Sequence, residues 1–133
     1  MRTTARWLVL GVFGLIMGTG CSDPLGIDDI VGTWDTMSIN GYSVPGTVIV
    51  EDREFDVRYI RWTFDHGGAC TVVAQIDGDV DTFDGCQYTV DLEQATIDID
   101  LGDEFTELLG SIDGDRMTLT NESVDATYVL RRR

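Results

Sequence analysis

The chain has no lysine and only one histidine, and both shortages narrow what it can do. Its 133 residues include nine basic residues, all arginine, against 24 acidic ones, and the net charge is −15. Such a chain repels phosphate backbones and anionic head groups, so we expect no nucleic-acid partner and no basic patch that attaches it to a membrane. One histidine leaves too few ligands for a zinc site, and we expect no metal and no cofactor.

The first twenty residues have the pattern of an export signal. Two arginines give a positive start, and an apolar run extends from Trp7 to Met17. The run is shorter than the roughly 20 apolar residues that a membrane-spanning helix needs. Small residues then lead into Cys21, as at a signal-peptide cleavage site, so residues 1–20 are predicted to be removed.

Thr19-Gly20-Cys21 resembles the lipobox of bacterial lipoproteins, in which the cysteine receives lipid before the signal is cut. The resemblance implies that Cys21 anchors the mature chain in a membrane. It also implies the outer membrane, because Ser22 stands where an inner-membrane retention signal has Asp. From Cys21 onward seven arginines face 24 acidic residues, a charge of −17, so the lipid must anchor the chain alone. The alternative is an ordinary secreted protein with Cys21 free.

Two further cysteines, Cys70 and Cys86, form an even pair in what we expect to be an oxidising compartment. We predict a disulfide between them. A three-residue turn at residues 77–79 would place them directly opposite each other on neighbouring strands, close enough to bridge. The alternative, a metal site, has no other thiol to complete it.

After a short tether at residues 21–30, apolar and polar residues alternate with period two, which indicates half-buried β-strands. Asn-Gly and Asp-Gly pairs mark hairpin turns between them. Nine strands are predicted, at residues 32–39, 43–50, 57–65, 70–76, 80–92, 95–101, 105–112, 116–120 and 127–131. Residues 31–133 are therefore predicted to be all-β, an up-and-down antiparallel meander closed into an eight- or nine-stranded barrel, since closure removes exposed strand edges.

The segment Gly32-Thr33-Trp34 resembles the Gly-x-Trp motif that opens lipocalins and the lipocalin-like domains of bacterial lipoproteins. In that family the Trp closes the base of the barrel against an Arg near the last strand. The resemblance implies the same roles here for Gly32, Trp34 and Arg131. The candidates for lining an interior ligand site are eight inward-facing residues: Ile60, Trp62, Phe64, Val72, Tyr88, Val90, Ile97 and Ile99.

Groups that could carry chemistry are few. Counted from Asp77, an EF-hand would need Gly at its sixth position and Glu at its twelfth, and the chain has neither. His66 lies in a Gly-rich turn with no nucleophile to activate. Asp98 and Asp100 share a face, as a glycosidase-like pair of carboxylates would, but they lie opposite an apolar row and are expected to keep the outer surface hydrated. We predict no catalytic residues and no enzyme. A looser calcium site, as opposed to a solvated acidic turn, would use three carboxylates: Asp79, Asp81 and Asp84.

The leading interpretation is a membrane-anchored, monomeric, non-enzymatic binder of a small apolar ligand in the cell envelope. The alternative is a protein-interaction lipoprotein, such as an inhibitor of a cationic envelope hydrolase, since an acidic surface steers basic partners. An eight-stranded barrel is either filled by its own side chains or holds one small ligand. An apolar cavity of about 300 Å³ or more would therefore favour the ligand.

Overall fold

The computed structural model describes residues 26–102 and 107–133. The predicted signal peptide and Cys21 lie outside these residues. A 3₁₀ turn at Ile27–Asp29 precedes the first strand, and the described residues contain no α-helix. The strands are β1 (Gly32–Ile39), β2 (Tyr42–Ser43), β3 (Gly46–Val50), β4 (Arg53–Phe64), β5 (Ala69–Ile76), β6 (Asp79–Asp91), β7 (Thr96–Asp100), β8 (Glu107–Asp113), β9 (Arg116–Asn121) and β10 (Ala126–Arg132).

Eight of these strands close into a barrel. From β4 to β10 each strand pairs antiparallel with the next one in the chain, and β1 then pairs with both β10 and β4. The predicted all-β meander, closed into an eight-stranded antiparallel barrel, is confirmed. Closure leaves β1 in the middle of the sheet, where its buried residues, Trp34 among them, face the core.

The segment at residues 43–50 departs from the predicted single strand. It is divided at Pro45 into β2 and β3, because proline has no N–H with which to continue a ladder. β3 pairs with the first residues of β4, from Arg53 to Val57, whereas β1 pairs with the last residues of β4. The β3–β4 hairpin therefore projects beyond the barrel at one end.

The two ends of the barrel differ, and we call them the base and the open end. The base is the end where β1 begins and β10 ends, beside the 3₁₀ turn. The open end is the opposite one, which carries the β3–β4 hairpin and the β5–β6 hairpin. Ile30, which the sequence assigns to the tether, is fully buried, so the packed domain reaches back to the 3₁₀ turn.

Hairpin turns follow the predicted dipeptides with one shift. Asn40 and Asp77 each open a two-residue turn with a positive φ, 52° and 53°, and the following residue in both is Gly. Near the base, Asp113 pairs with Arg116, so Gly114 and Asp115 form that turn, not Asp113-Gly114. Gly at the first turn position supplies the positive φ that such a hairpin requires.

A glycine in the barrel wall makes room for the core. Gly110 lies between Ile97 on β7 and Leu119 on β9. A Cβ built on Gly110 would lie 2.7 Å from Cδ2 of Leu119 and would also collide with the Thr118 carbonyl oxygen. The absence of a side chain thus lets the fully buried Leu119 fill the interior at this level.

Candidate functional site

The predicted disulfide is present. Cys70 on β5 lies opposite Cys86 on β6, their Cα atoms are 4.8 Å apart, and both side chains are buried. The predicted three-residue turn is wrong, since Ile76 pairs with Asp79 across a two-residue turn. A bulge of one extra residue on β6, between its positions opposite Val72 and Cys70, restores the register that brings the cysteines together.

The base of the barrel is closed around Trp34, as the resemblance implies. Its side chain is fully buried, and its indole Nε1 donates to the Ile30 carbonyl at 2.9 Å. Gly32 has a φ of +132°, which favours glycine, and a Cβ there would lie 3.6 Å from the guanidinium of Arg132. Both residues therefore contribute to the closed base.

The arginine on Trp34 is Arg132, not the predicted Arg131. The Arg132 guanidinium lies 5.7 Å from the Trp34 ring and donates to the carbonyls of Asp28, Asp29 and Val31. Along β10 the fully buried Leu130 points inward, so period-two alternation turns Arg131 to solvent and returns Arg132 to the inner face. Arg132 thereby fastens the 3₁₀ turn beneath the barrel.

An apolar pocket of about 290 Å³ lies at the open end. Its wall comes from the β3–β4 hairpin and from residues of β1, β5, β10 and the β9–β10 loop. The lining residues are Ile39, Val48, Val50, Glu51, Arg53, Phe55, Val57, Ile60, Ile76, Val124 and Tyr128. Its volume is close to 300 Å³, the smallest size typical of small-molecule sites.

Only Ile60 of the eight predicted lining residues belongs to this pocket. The other seven face inward as predicted, but they pack on one another in the lower barrel and form core. For example, Trp62 donates from Nε1 to the Thr36 hydroxyl at 2.9 Å, and Phe64 lies edge-on to Tyr88 at 5.1 Å. The pocket depends on the β3–β4 hairpin. The sequence shows the alternation of apolar and polar residues in this hairpin, but it does not show that the hairpin lies above the barrel.

The Asn40 side chain connects the segments around the mouth of the pocket by hydrogen bonds. Its side-chain amide donates to the carbonyls of Ile49 at 3.4 Å and Asp125 at 3.3 Å. Its side-chain oxygen accepts from the backbone N–H of Thr127 at 2.8 Å. The hairpin β3–β4 and the β9–β10 loop are therefore both held to the end of β1, which gives the pocket a fixed rim.

Polar groups in the pocket are few, and two of them can orient a ligand. The Arg53 guanidinium lies 5.1 Å above the Phe55 ring at the rim. The Tyr128 hydroxyl, whose pKa burial raises above the usual value of a phenol, can donate a hydrogen bond. An apolar wall with a few polar groups is the usual composition of a small-molecule site.

The remaining candidates lie apart from the pocket. His66 is exposed near the base, with Nδ1 3.8 Å from a carboxylate oxygen of Asp28. Asp98 and Asp100 lie on the outer surface beside Glu107, where a hydrogen bond with Asp98 and the charge of that carboxylate raise the pKa of Glu107. Asp79, Asp81 and Asp84 are exposed. Within residues 26–102 and 107–133, no group of three or more His, Cys, Asp or Glu side chains is arranged to hold a metal ion.

Comparison of the chain with family models, curated proteins and solved structures finds no match. The resemblance to lipoproteins and lipocalin-like domains therefore remains a prediction from short motifs. No helix in the described part of the chain is both long enough and apolar enough to cross a membrane.

Proposed function

We propose that the protein is a lipid-anchored, non-enzymatic binder of a small apolar molecule in the cell envelope. The observation that carries the proposal is the 290 Å³ apolar pocket at the open end. Buried side chains such as Val48 and Val57 form part of its wall, so an apolar ligand that contacts them would lose water contact on that side. Arg53 and the Tyr128 hydroxyl would meet the polar end of the ligand.

The position of the N-terminal segment supports anchoring by the base. Because Arg132 fastens the 3₁₀ turn there, the chain enters the barrel at the closed end. Five peptide units join Cys21 to Gly26, and an extended chain of that length spans at most about 18 Å. A lipid on Cys21 would therefore hold the base near the membrane, with the pocket opening on the far side.

Ligand binding is tested by titration with octanoate, and with octanol to assess the polar end. We expect saturable binding, monitored by fluorescence of Trp62, whose ring lies 6.2 Å from that of the pocket residue Tyr128. The pocket-filling variant Val50→Phe should lose binding. Val129→Phe, the same change on the outer face of β10, should retain it. Failure of a broad panel of apolar molecules to bind the wild-type protein would contradict the proposal.

Anchoring is tested separately by expression of the full chain with labelled palmitate. We expect label on the wild-type protein, which should fractionate with membranes. The Cys21→Ser variant should lose both label and membrane association while its barrel still folds. Unlabelled wild-type protein in the soluble fraction would support the alternative of a secreted protein with Cys21 free.

A further inference from the structure

The first part of β6, from Asp79 to Phe83, has a strand partner on one side only. It pairs there with β5, from Ile76 back to Val72. On its other side β7 pairs with β6 only from Gln87 onward, and among the described residues no strand lies along Asp79–Phe83. Within residues 26–102 and 107–133, the β5–β6 hairpin thus has an open strand edge at the open end of the barrel, to which an extended segment can add.

The register identifies the backbone groups on this edge. Ile76 and Asp79 flank a two-residue turn, and the residues that flank such a turn exchange both of their backbone hydrogen bonds. Pairing then alternates along the strand. Asp79, Asp81 and Phe83 bond to β5, so Val80 and Thr82 direct their N–H and C=O groups towards the free edge.

The side chains at residues 79–84 of the edge are acidic or apolar except for Thr82. Asp79, Asp81 and Asp84 are exposed, and the ion pairs found in the described residues use none of them. Between them Val80 is 57% exposed and Phe83 is 48% exposed, both large values for apolar residues. The edge therefore combines carboxylates that lie outside the ion pairs of the described residues with apolar side chains that are about half exposed.

The negative charge of the edge determines which kind of partner can dock there. A second copy of this chain would bring its own acidic surface, with a net charge of −15 and no lysine, against Asp79 and Asp81. Like charges directly opposite each other destabilise a strand pair, whereas opposite charges stabilise it. We propose that the Asp79–Phe83 edge of β6 is a docking site for an extended segment of a partner protein in which basic and apolar residues alternate.

In that arrangement the basic side chains lie opposite Asp79 and Asp81, and an apolar side chain lies opposite Val80. The backbone of the segment bonds to Val80 and Thr82, which gives the interaction a directional part that a diffuse acidic surface lacks. None of the residues Asp79–Phe83 lines the apolar pocket, so this proposal does not depend on the proposed ligand.

The test uses the folded protein with a synthetic peptide of alternating Lys and Val, and a matched peptide of alternating Glu and Val. Backbone amide NMR shifts should change at Val80–Phe83 with the Lys peptide and not with the Glu peptide. Added salt should weaken binding, because screening reduces the attraction between exposed charges. The paired substitution Asp79→Asn with Asp81→Asn should weaken it by about tenfold.

Thr82→Pro separates strand pairing from charge attraction. It removes the N–H at the free edge and leaves the ladder to β5 intact, as proline is tolerated on edge strands. We expect loss of peptide binding with an unchanged fold, and wild-type binding by the control Thr82→Val. Binding that is equal in Thr82→Pro, shifts that spread over the whole acidic surface, or no binding at low salt would overturn the proposal. If Thr82→Pro fails to fold, unchanged binding by the asparagine variant would overturn it.

Discussion

The two ends of the barrel are built in opposite ways. At the base the polar groups have partners inside the protein: the Arg132 guanidinium has three carbonyls, and the Trp34 indole has one. At the open end, the part of the chain that the structure describes has an apolar pocket, a free strand edge and carboxylates outside its ion pairs. Protein folding accounts for the base, whereas the open end keeps surfaces that folding alone does not need.

The ion pairs of the described residues also lie towards the base. Five arginines lie towards the base: Arg61, Arg116 and the three at the C-terminus. There Asp35 forms ion pairs with Arg61 at 3.0 Å and with Arg133 at 3.3 Å. The hairpins of the open end carry mainly carboxylates. If the open end binds as proposed, stability and recognition are separated along the barrel axis, and substitutions at the two ends should have separable effects.

The largest effect should come from the base. Trp34→Ala removes a fully buried indole and should cost about 3–5 kcal/mol in the free energy of unfolding, since truncation of a buried aromatic leaves a cavity. Urea unfolding measures the change. The control Met37→Ala, on the exposed face of the same strand, should change the free energy by about 0.5 kcal/mol or less. Equal effects of both would contradict a base closed on Trp34.

Removal of the disulfide should come next. The bond joins residues separated by 16 positions, so its loss should cost about 3 kcal/mol by relaxing the constraint on the unfolded chain. The double variant Cys70→Ala with Cys86→Ala, compared with wild type in urea, measures this. Reduced wild-type protein should behave like the variant, and an unchanged midpoint in both would show that the bond contributes nothing to stability.

A matched pair of arginine variants tests whether Arg132 or Arg131 stabilises the base. Arg132→Met should cost about 1.5–2 kcal/mol, because three charge-assisted hydrogen bonds to carbonyls are lost. Arg131→Met, one residue earlier and exposed, should change stability by about 0.5 kcal/mol or less. Thermal unfolding of both at equal ionic strength distinguishes them, and a larger loss for Arg131→Met would restore the assignment from the sequence.

The smallest effect should come from the outer carboxylates towards the open end. A hydrogen bond with Asp98 and its charge, with further repulsion from Asp100 and Glu122, raise the pKa of Glu107 above its usual 4.5. The native state then holds this proton more firmly than the unfolded chain, so the contribution of Glu107 to stability is largest below pH 4.5 and falls as the pH rises through its native pKa.

Glu107→Gln should therefore raise the unfolding temperature at neutral pH slightly and lose this advantage in acid. Melting curves at several pH values measure the difference between the variant and the wild type. A destabilised variant at neutral pH would show that the carboxylate makes a favourable contact, in conflict with the repulsion inferred here.

Much of the barrel could be predicted from the sequence because strand alternation is local information. The inward faces follow from period two, and the two-residue turns at Asn40 and Asp77 follow from dipeptides that tolerate positive φ. The pairing of Cys70 with Cys86 also depends on the bulge in β6, which offsets a turn one residue shorter than predicted. The period-two rule, applied through Leu130, would have selected Arg132 instead of Arg131.

The pocket could not be predicted in the same way. That Trp62 and Ile99 face inward is a property of each strand, but whether inward side chains meet or leave a space depends on how all the strands pack. The free edge of β6 likewise depends on how far β7 extends beside it, and on the bulge in β6 between its pairs with Val72 and Cys70.

The most direct test of a ligand-binding open end and a closed base is a methyl NMR titration of isoleucine-labelled protein with octanoate. Ile39, Ile60 and Ile76 line the pocket, whereas Ile30 lies at the base and Ile112 lies on β8 towards it. We expect saturable shifts confined to the first three methyl groups. Shifts centred on Ile30 and Ile112, or none at any concentration, would contradict the account.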